Sequence, residues 1–209
     1  MTKLPAIDNA LQHFACVDAT MHCLLDAAVS ADAQLAVPYP KSQSEYFPTL
    51  VRSIVSQQIS TSAAASVFAR LTSTVTLTPE AVMTTADDTL RECGLSKQKV
   101  RYIQSLADAW DSLESETFVD TSDIDIIKRL SACYGIGVWT AEMFLLFAMA
   151  RPDVFSVGDL ALRQQVARHY GVESNDYAAI RSVSEVWSPH RTLSSLALWH
   201  EIDNGPVLL

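Results

Sequence analysis

Two glycines around one isoleucine, Gly135-Ile136-Gly137, constrain the fold of this chain more than any other feature. Apolar residues at helical spacing run from Asp123 to Cys133 before them and from Val138 to Ala150 after them, which predicts two helices joined by a tight turn. Glycine allows the backbone conformations that such a turn needs. The turn would present free backbone N–H groups at the start of the second helix, where a phosphate oxygen can bind. A turn whose glycines serve only helix packing is the alternative, because short glycine motifs are common.

The rest of the chain also favours helices over strands. Six Gly and eight Pro are few for 209 residues of which 49% are hydrophobic, and no alternating pattern indicates a strand ladder. We therefore predict an all-α fold. Helical spacing also covers 9–30, and the stretch from Phe47 to Leu71 is predicted as a helix–turn–helix broken at Ser56-Gln57-Gln58. The further predicted helices are 79–83, 87–93, Ser96 to about Leu113, 160–170, 176–187 and 190–202.

The net charge of −9 argues against a polyanionic partner, because nucleic-acid-binding domains usually carry a basic excess. The acids are unevenly distributed, however. Seven of the 24 lie in a stretch without Lys or Arg, which leaves 17 acids against 15 bases elsewhere. We interpret this stretch as a solvated loop and helix start that face away from any polyanion. The seven acids are Asp108, Asp111, Glu114, Glu116, Asp120, Asp123 and Asp125.

The four cysteines (Cys16, Cys23, Cys93 and Cys133) form no CxxC pair and have no histidine cluster near them. A zinc or iron–sulfur site would need closer spacings, so we expect reduced thiols and no iron–sulfur cluster. The longest apolar run, 143–150, is far shorter than the roughly 20 residues of a membrane span. We expect no signal peptide and no association with a membrane.

A longer pattern surrounds the glycine turn. The sequence LSACYGIGVWTA is followed, twenty residues after Trp139, by Asp159 within DVFSVGDLALR, and YFPTLVRSIVSQQIS and CGLSKQKVRYIQSLA precede it. Together these segments span roughly 45–200 and resemble, in the same order, the helix-hairpin-helix (HhH-GPD) DNA glycosylase superfamily. The chain most resembles a short form of the AlkA-like, 3-methyladenine DNA glycosylase II branch.

The resemblance implies two helical lobes with an active-site cleft between them, a central lobe of about 46–158 and a second lobe of about 1–45 plus 159–209. It implies a monofunctional glycosylase that flips alkylated bases such as 3-methyladenine or 7-methylguanine out of double-stranded DNA and hydrolyses their N-glycosidic bond. We expect a monomer located in the cytoplasm, at the nucleoid if bacterial, or in the nucleus if eukaryotic.

The resemblance also assigns roles to residues. Asp159 would be the catalytic carboxylate, although its position before an apolar helix equally predicts an N-cap. Bifunctional relatives carry a nucleophilic Lys where this chain has Trp139, so no lyase step is expected. The family usually has Pro before the first hairpin glycine, and Tyr134 makes that turn less pre-set.

The remaining assignments concern the base, the DNA backbone and a cation. For each aromatic residue ordinary core packing is the alternative, and for Gln58 a plain polar loop. The pocket candidates are Trp139, Trp199, Tyr46, Phe47 and Phe144; the DNA-binding candidates are Gln58 as the wedge with Gly135, Gly137, Val138 and Thr140; the backbone carbonyls of Ser131, Cys133 and Ile136 could hold a structural Na⁺ or K⁺ ion.

Three rival functions remain open from the sequence. A non-catalytic helix-hairpin-helix module would bind DNA without needing Asp159 or an aromatic pocket. An all-α scaffold protein would agree with the acidic charge and would not retain DNA at low salt. A glycosylase for mismatched or deaminated bases would share the fold and differ only in its substrates.

Overall fold

The computed structural model describes residues 5–30, 35, 37–114, 118 and 120–202. Over these residues the chain is built from α-helices and one short 3-10 helix and has no strand, which confirms the all-α prediction. Glu116 of the acidic stretch and the ends of the predicted second lobe, 1–4 and 203–209, lie outside the described residues. None of the helices in the described part has the length and apolar character needed to cross a membrane.

The helix boundaries follow the caps that the sequence provides. Thr78 and Ser96 each accept a backbone N–H of the first turn, and Gly171 ends its helix in the left-handed conformation. The helices are α1 (Pro5–Val17), α2 (Ala19–Ser30), α3 (Tyr46–Ser56), α4 (Thr61–Thr74), α5 (Pro79–Thr84), α6 (Asp87–Glu92), α7 (Lys97–Glu114), α8 (Asp123–Ser131), α9 (Val138–Phe147), α10 (Leu160–Tyr170), α11 (Tyr177–Glu185) and α12 (Arg191–His200), with the 3-10 helix at Gln43–Glu45.

Residues Pro40–Met149 form one compact unit, which contains α3 to α9. Its central helix is α9, which is apolar around its circumference and buried over most of its length. Helices α8 and α3 pack against α9, while α7 packs against α3, α5 and α6. The glycine turn thus connects the outer helix α8 to the central helix of this unit.

The described residues up to Tyr39 and from Ala150 to Ile202 form the other compact unit, with α1, α2 and α10 to α12. Helix α12 is its buried element, with every residue from Thr192 to Trp199 inside, and α2 and α10 pack against it. The segment Ala150–Gly158, which the prediction placed in the central lobe, groups with this unit. Its backbone is bound to α12, since Pro152 O accepts the Thr192 N–H and Val154 O accepts the Ser195 hydroxyl.

The helical spacing predicted over 9–30 corresponds to two helices, α1 and α2, which Asp18 separates. Asp18 Oδ1 accepts the Met21 N–H at 2.9 Å and so caps α2. Its other oxygen accepts the Tyr170 hydroxyl at 2.8 Å and the Trp187 indole N–H at 2.7 Å. The cap bond to Met21 is local, whereas Tyr170 and Trp187 are distant in sequence and cannot be identified from the apolar pattern.

Candidate functional site

The hairpin between α8 and α9 has the tight geometry that its glycines predict. Ile136 is buried, and its N–H donates to Cys133 O at 3.1 Å. Gly135 has a φ of +95°, and a Cβ there would overlap the ring of Tyr102. A Cβ on Gly137 would meet nothing within 4 Å. Gly135 is therefore required for backbone conformation and packing, whereas Gly137 keeps the start of α9 open.

The first turn of α9 presents the backbone donors expected for anion binding. The hydrogen bonds of α9 begin with the Ala141 N–H, which donates to Gly137 O. The N–H groups of Val138 to Thr140 precede it and lie at the exposed end of the helix. The side chains of Val138 and Trp139 are 54% and 42% exposed, whereas Thr140 is buried. The DNA-binding roles of these residues stay predictions, and this geometry is compatible with them.

Tyr134 holds the hairpin in a way that proline could not. Its N–H donates to Ser105 Oγ at 3.3 Å, and proline has no such donor. Its ring packs edge-to-face on Tyr102, with 4.8 Å between the ring centroids. The hydroxyl of Tyr102 in turn accepts a hydrogen bond from the side-chain amide of Gln98. The turn is thus fixed by contacts with α7, which compensates for the missing proline.

The turn between α3 and α4 lies next to this hairpin. The side-chain amide of Gln57 donates to Gly135 O at 3.0 Å, a contact that the sequence analysis did not foresee. Gln58 follows with a φ of +59°, a left-handed conformation uncommon for a non-glycine residue, and its side chain is exposed. Ile59 is 41% exposed, and Ser60 caps α4. The wedge role of Gln58 stays a prediction.

Lys99 connects α7 to this turn. Its ammonium group donates to Val55 O and to Gln57 O, both at 2.7 Å, and burial lowers the pKa of Lys99. These carbonyls belong to the C-terminal end of α3, where a positive charge is favourable. The signal for this contact was present in the sequence, because a lysine in the first turn of α7 opposes the dipole of its own helix.

Asp159 lies in the other unit, at the N-terminus of α10. Its Oδ1 accepts the Leu162 N–H at 2.9 Å, so the N-cap alternative is confirmed, while the catalytic role stays a prediction. The residue is 7% exposed. One helical turn later, Arg163 donates to Val157 O at 3.5 Å, and its guanidinium lies 4.5 Å from the Tyr177 ring centroid. An N-cap bond does not by itself exclude a catalytic role for the same carboxylate.

Asp153, the other carboxylate of this segment, has a structural role. Arg191 binds it through two side-chain nitrogens at 2.8 and 2.9 Å, and the Ser188 hydroxyl donates to it at 2.8 Å. Burial by itself would raise the pKa of Asp153, but the hydrogen bonds from Arg191 and Ser188 outweigh it, and the net pKa is lowered. Asp153 thus anchors the N-terminus of α12.

The candidate pocket aromatics differ in exposure. Tyr46 and Phe144 are buried with 5.1 Å between their ring centroids, and Phe47 is buried 5.1 Å from Trp110. These three belong to the aromatic core of Pro40–Met149, as the core-packing alternative predicts. Trp199 is buried on α12 in the other unit, and Trp139 is exposed. The assignment of all five aromatic residues to a base pocket stays a prediction.

The oxygen atoms around the end of α8 fit the predicted monovalent cation. Helix α8 ends at Ser131, so the carbonyl groups from Ser131 onward accept no hydrogen bond within the helix. Among the described backbone hydrogen bonds, Cys133 O accepts only the Ile136 N–H. Ser131 Oγ is buried without a hydrogen-bond partner among the described residues. Backbone carbonyls are ligands that K⁺ accepts in proteins. The site stays a prediction.

The four cysteines are free thiols, two buried (Cys93 and Cys133) and two exposed (Cys16 and Cys23). Burial raises the pKa of Cys133. Among the described residues no group of three His, Cys, Asp or Glu side chains could hold a metal ion.

Comparison with known proteins gives concordant matches. The family of HhH-GPD superfamily base excision DNA repair proteins matches residues 51–189. The DNA-3-methyladenine glycosylase 1 of Schizosaccharomyces pombe is 32% identical over 165 residues, which cover 74% of this chain and 72% of the relative. The matched range includes both the hairpin and Asp159.

Two solved structures are similar over nearly the whole chain. A DNA-3-methyladenine glycosidase from Bacillus halodurans has a TM-score of 0.77 and 30% identity, covering 95% of this chain and 89% of its own. A 3-methyladenine DNA glycosylase of Schizosaccharomyces pombe, in complex with abasic DNA, has a TM-score of 0.74 and 27% identity, covering 91% and 95%.

Proposed function

The chain belongs to the HhH-GPD superfamily of base excision DNA repair proteins, and we propose that it is a monofunctional DNA glycosylase that releases alkylated bases of the 3-methyladenine and 7-methylguanine type. The observation that carries the proposal is the 32% identity to a DNA-3-methyladenine glycosylase over 74% of this chain. Its partner is then double-stranded DNA with damaged bases, and its place of action is wherever the DNA of the cell lies.

Binding to DNA would use the hairpin in Pro40–Met149. The N–H groups of the first turn of α9, together with the positive end of the helix dipole, suit a phosphate oxygen. Such contacts are independent of base sequence, which is appropriate for an enzyme that searches for damage. Extrusion of the damaged nucleotide leaves a gap in the base stack, and the exposed turn carrying Gln58 would fill it.

Hydrolysis of the N-glycosidic bond would depend on Asp159. Positive charge develops on the deoxyribose as the base leaves, and a carboxylate can stabilise this charge, deprotonate the attacking water, or do both. The position of Asp159 is rigid, because its side chain caps α10 and its N–H donates to Ser156 O at 3.1 Å. A fixed carboxylate needs little reorganisation during the reaction.

Selection of the base would depend on its charge. Alkylation at a ring nitrogen makes a purine cationic, which activates it as a leaving group and attracts it to electron-rich aromatic faces. Trp139 is the candidate with an exposed ring. A tryptophan cannot form a Schiff base, so we propose that the chain has no lyase activity. The wide spacing of the four cysteines supports the proposal that it needs no iron–sulfur cluster or other cofactor, apart from a structural Na⁺ or K⁺ at the hairpin carbonyls.

Incubation with methylated duplex DNA tests the proposal. Free bases are identified by chromatography, and strand integrity is measured without heat or base. We expect 3-methyladenine or 7-methylguanine to be released from intact strands. Strand cleavage by the purified protein would contradict the monofunctional assignment. Binding to DNA without release of any base would instead favour the non-catalytic helix-hairpin-helix module.

A further inference from the structure

One face of α7 contacts both of the turns to which the proposed function assigns DNA contacts. Lys99, Tyr102 and Ser105 follow each other at intervals of three residues, so they lie on the same side of the helix. Lys99 bonds to the end of α3 before the Gln58 turn, whereas Tyr102 and Ser105 contact the hairpin at Gly135 and Tyr134. Helix α7 is therefore a common support for both turns.

On the basis of the proposed function, we propose that Lys99 is a positioning residue for base extrusion. Its ammonium group fixes the turn of residues 57–60 relative to the hairpin, so that Gln58 enters the base stack at a defined distance from the bound phosphate. Lys99 would then act through the turn and not by touching DNA.

The bonds of Lys99 support this role over a phosphate contact. Two of the three ammonium donors are used by Val55 O and Gln57 O at 2.7 Å, distances typical of charge-assisted hydrogen bonds. The side chain is part-buried, as the lowering of its pKa by burial also indicates. A lysine that binds phosphate would instead direct its ammonium group into solvent.

Gln57 completes the connection between the two turns. Its carbonyl accepts from Lys99 at 2.7 Å, and its side-chain amide donates to Gly135 O at 3.0 Å. One residue later, Gln58 has the left-handed φ of +59°. A non-glycine residue in this conformation costs about 1–2 kcal/mol, so the surrounding contacts must hold it there. The contacts nearest to Gln58 in the chain are the bonds that Lys99 makes to Val55 O and Gln57 O and the bond of the Gln57 side chain to Gly135 O.

The test uses Lys99→Met, which keeps the length of the aliphatic chain and removes the ammonium group. Lys97→Met is the matched control, because Lys97 is an exposed lysine in the same helical turn and its loss changes the net charge equally. The probe is a duplex with a stable abasic-site analogue opposite 2-aminopurine. A wedge that enters the stack disturbs 2-aminopurine and raises its fluorescence, whether or not any base is released.

We expect the wild-type protein and Lys97→Met to raise the fluorescence equally, and Lys99→Met to lose most of the rise. The salt dependence of binding should be the same for Lys99→Met and the wild type, because a phosphate contact would change the log–log slope by about 1. Single-turnover release of 7-methylguanine from paired duplex should be slowed by about tenfold, which corresponds to about 1.4 kcal/mol of activation free energy. This slowing should shrink when the lesion lies opposite an abasic site, where extrusion is easier.

Gln57→Glu provides a second variant in case Lys99→Met does not fold. It keeps the size of the side chain and places a carboxylate oxygen against Gly135 O, so it should reproduce the loss of fluorescence. The proposal is overturned if folded Lys99→Met gives the wild-type fluorescence, if Gln57→Glu does so where Lys99→Met does not fold, or if Lys99→Met lowers the salt slope by about 1. A wild-type protein that raises fluorescence but releases no base would contradict the proposed function alone.

Discussion

Replacing Asp159 with asparagine separates its two roles. Asparagine and aspartate are about equally good N-caps, because either side-chain oxygen can accept the Leu162 N–H that Asp159 Oδ1 accepts at 2.9 Å. The substitution removes the negative charge from the start of α10, which costs about 0.3–1 kcal/mol. For a chain of this size that corresponds to a fall of the unfolding midpoint by about 1–4 °C.

Catalysis should respond much more strongly. If Asp159 stabilises charge on the deoxyribose, its loss should slow base release by at least about 10²–10³-fold, the usual effect of removing one group that stabilises a transition-state charge. Asp159→Ala removes the cap as well and should cost about 0.5–2 kcal/mol of unfolding free energy. The alanine variant is therefore less informative than the asparagine variant, since loss of folded protein also lowers activity.

The assay combines single-turnover release of 7-methylguanine with thermal unfolding of the same preparations. Asp176→Asn is the matched control, because Asp176 caps α11 in the same unit by accepting the Ala179 N–H at 3.0 Å. It should shift the midpoint similarly and leave release unchanged. If Asp159→Asn keeps release within about threefold of the wild type, a difference of less than about 0.7 kcal/mol, the catalytic reasoning is refuted.

Four further substitutions test the hairpin, the second carboxylate and the base pocket. An alanine at position 135 would have to adopt a φ of +95°, which costs roughly 1–2 kcal/mol, and its Cβ would overlap Tyr102, so Gly135→Ala should destabilise the protein by more than that amount. Gly137→Ala places its Cβ in open space and should unfold at the wild-type temperature in thermal scans. Because the pKa of Asp153 is lowered, its ionised form stabilises the fold at pH values above its ordinary pKa of 3.8, and this stabilisation is lost as the pH falls through the lowered pKa. Asp153→Asn should therefore be less stable than the wild type at pH 7. The difference in unfolding free energy between the two proteins should shrink towards pH 2. Trp139→Ala should lower kcat/KM for a cationic base by roughly tenfold, and less for neutral hypoxanthine, if its ring faces the base.

Local chemistry made most of the helices predictable from the sequence. The caps at Thr78, Ser96 and Asp159 and the stop at Gly171 identify helix ends by themselves, because each satisfies backbone groups within a few residues. The family motifs likewise located the hairpin correctly. These features depend on contacts that are close in sequence.

Contacts between distant residues were not predictable in the same way. Asp18 separates α1 from α2 and bonds to Tyr170 and Trp187, and neither partner can be identified from an apolar pattern. Lys99 showed only an unfavourable position in its helix, and its acceptors at the end of α3 required the folded structure. For Lys99 the sequence shows an unfavourable position, and the tertiary contacts with Val55 O and Gln57 O explain it.

An acidic protein can bind DNA if its phosphate contacts do not depend on many lysines and arginines. The phosphate donors that we propose are the backbone N–H groups at the start of α9, and the ammonium group of Lys99 is occupied by Val55 O and Gln57 O. If these N–H groups make the main phosphate contacts, few phosphates are neutralised by cationic side chains and few counterions are released on binding. Between 50 and 200 mM salt we expect the affinity for abasic duplex to fall by less than the roughly 10³–10⁵-fold seen when six to ten cationic contacts are made. Fluorescence anisotropy titrations measure this slope, and a fall within that range would show that cationic side chains dominate the interface.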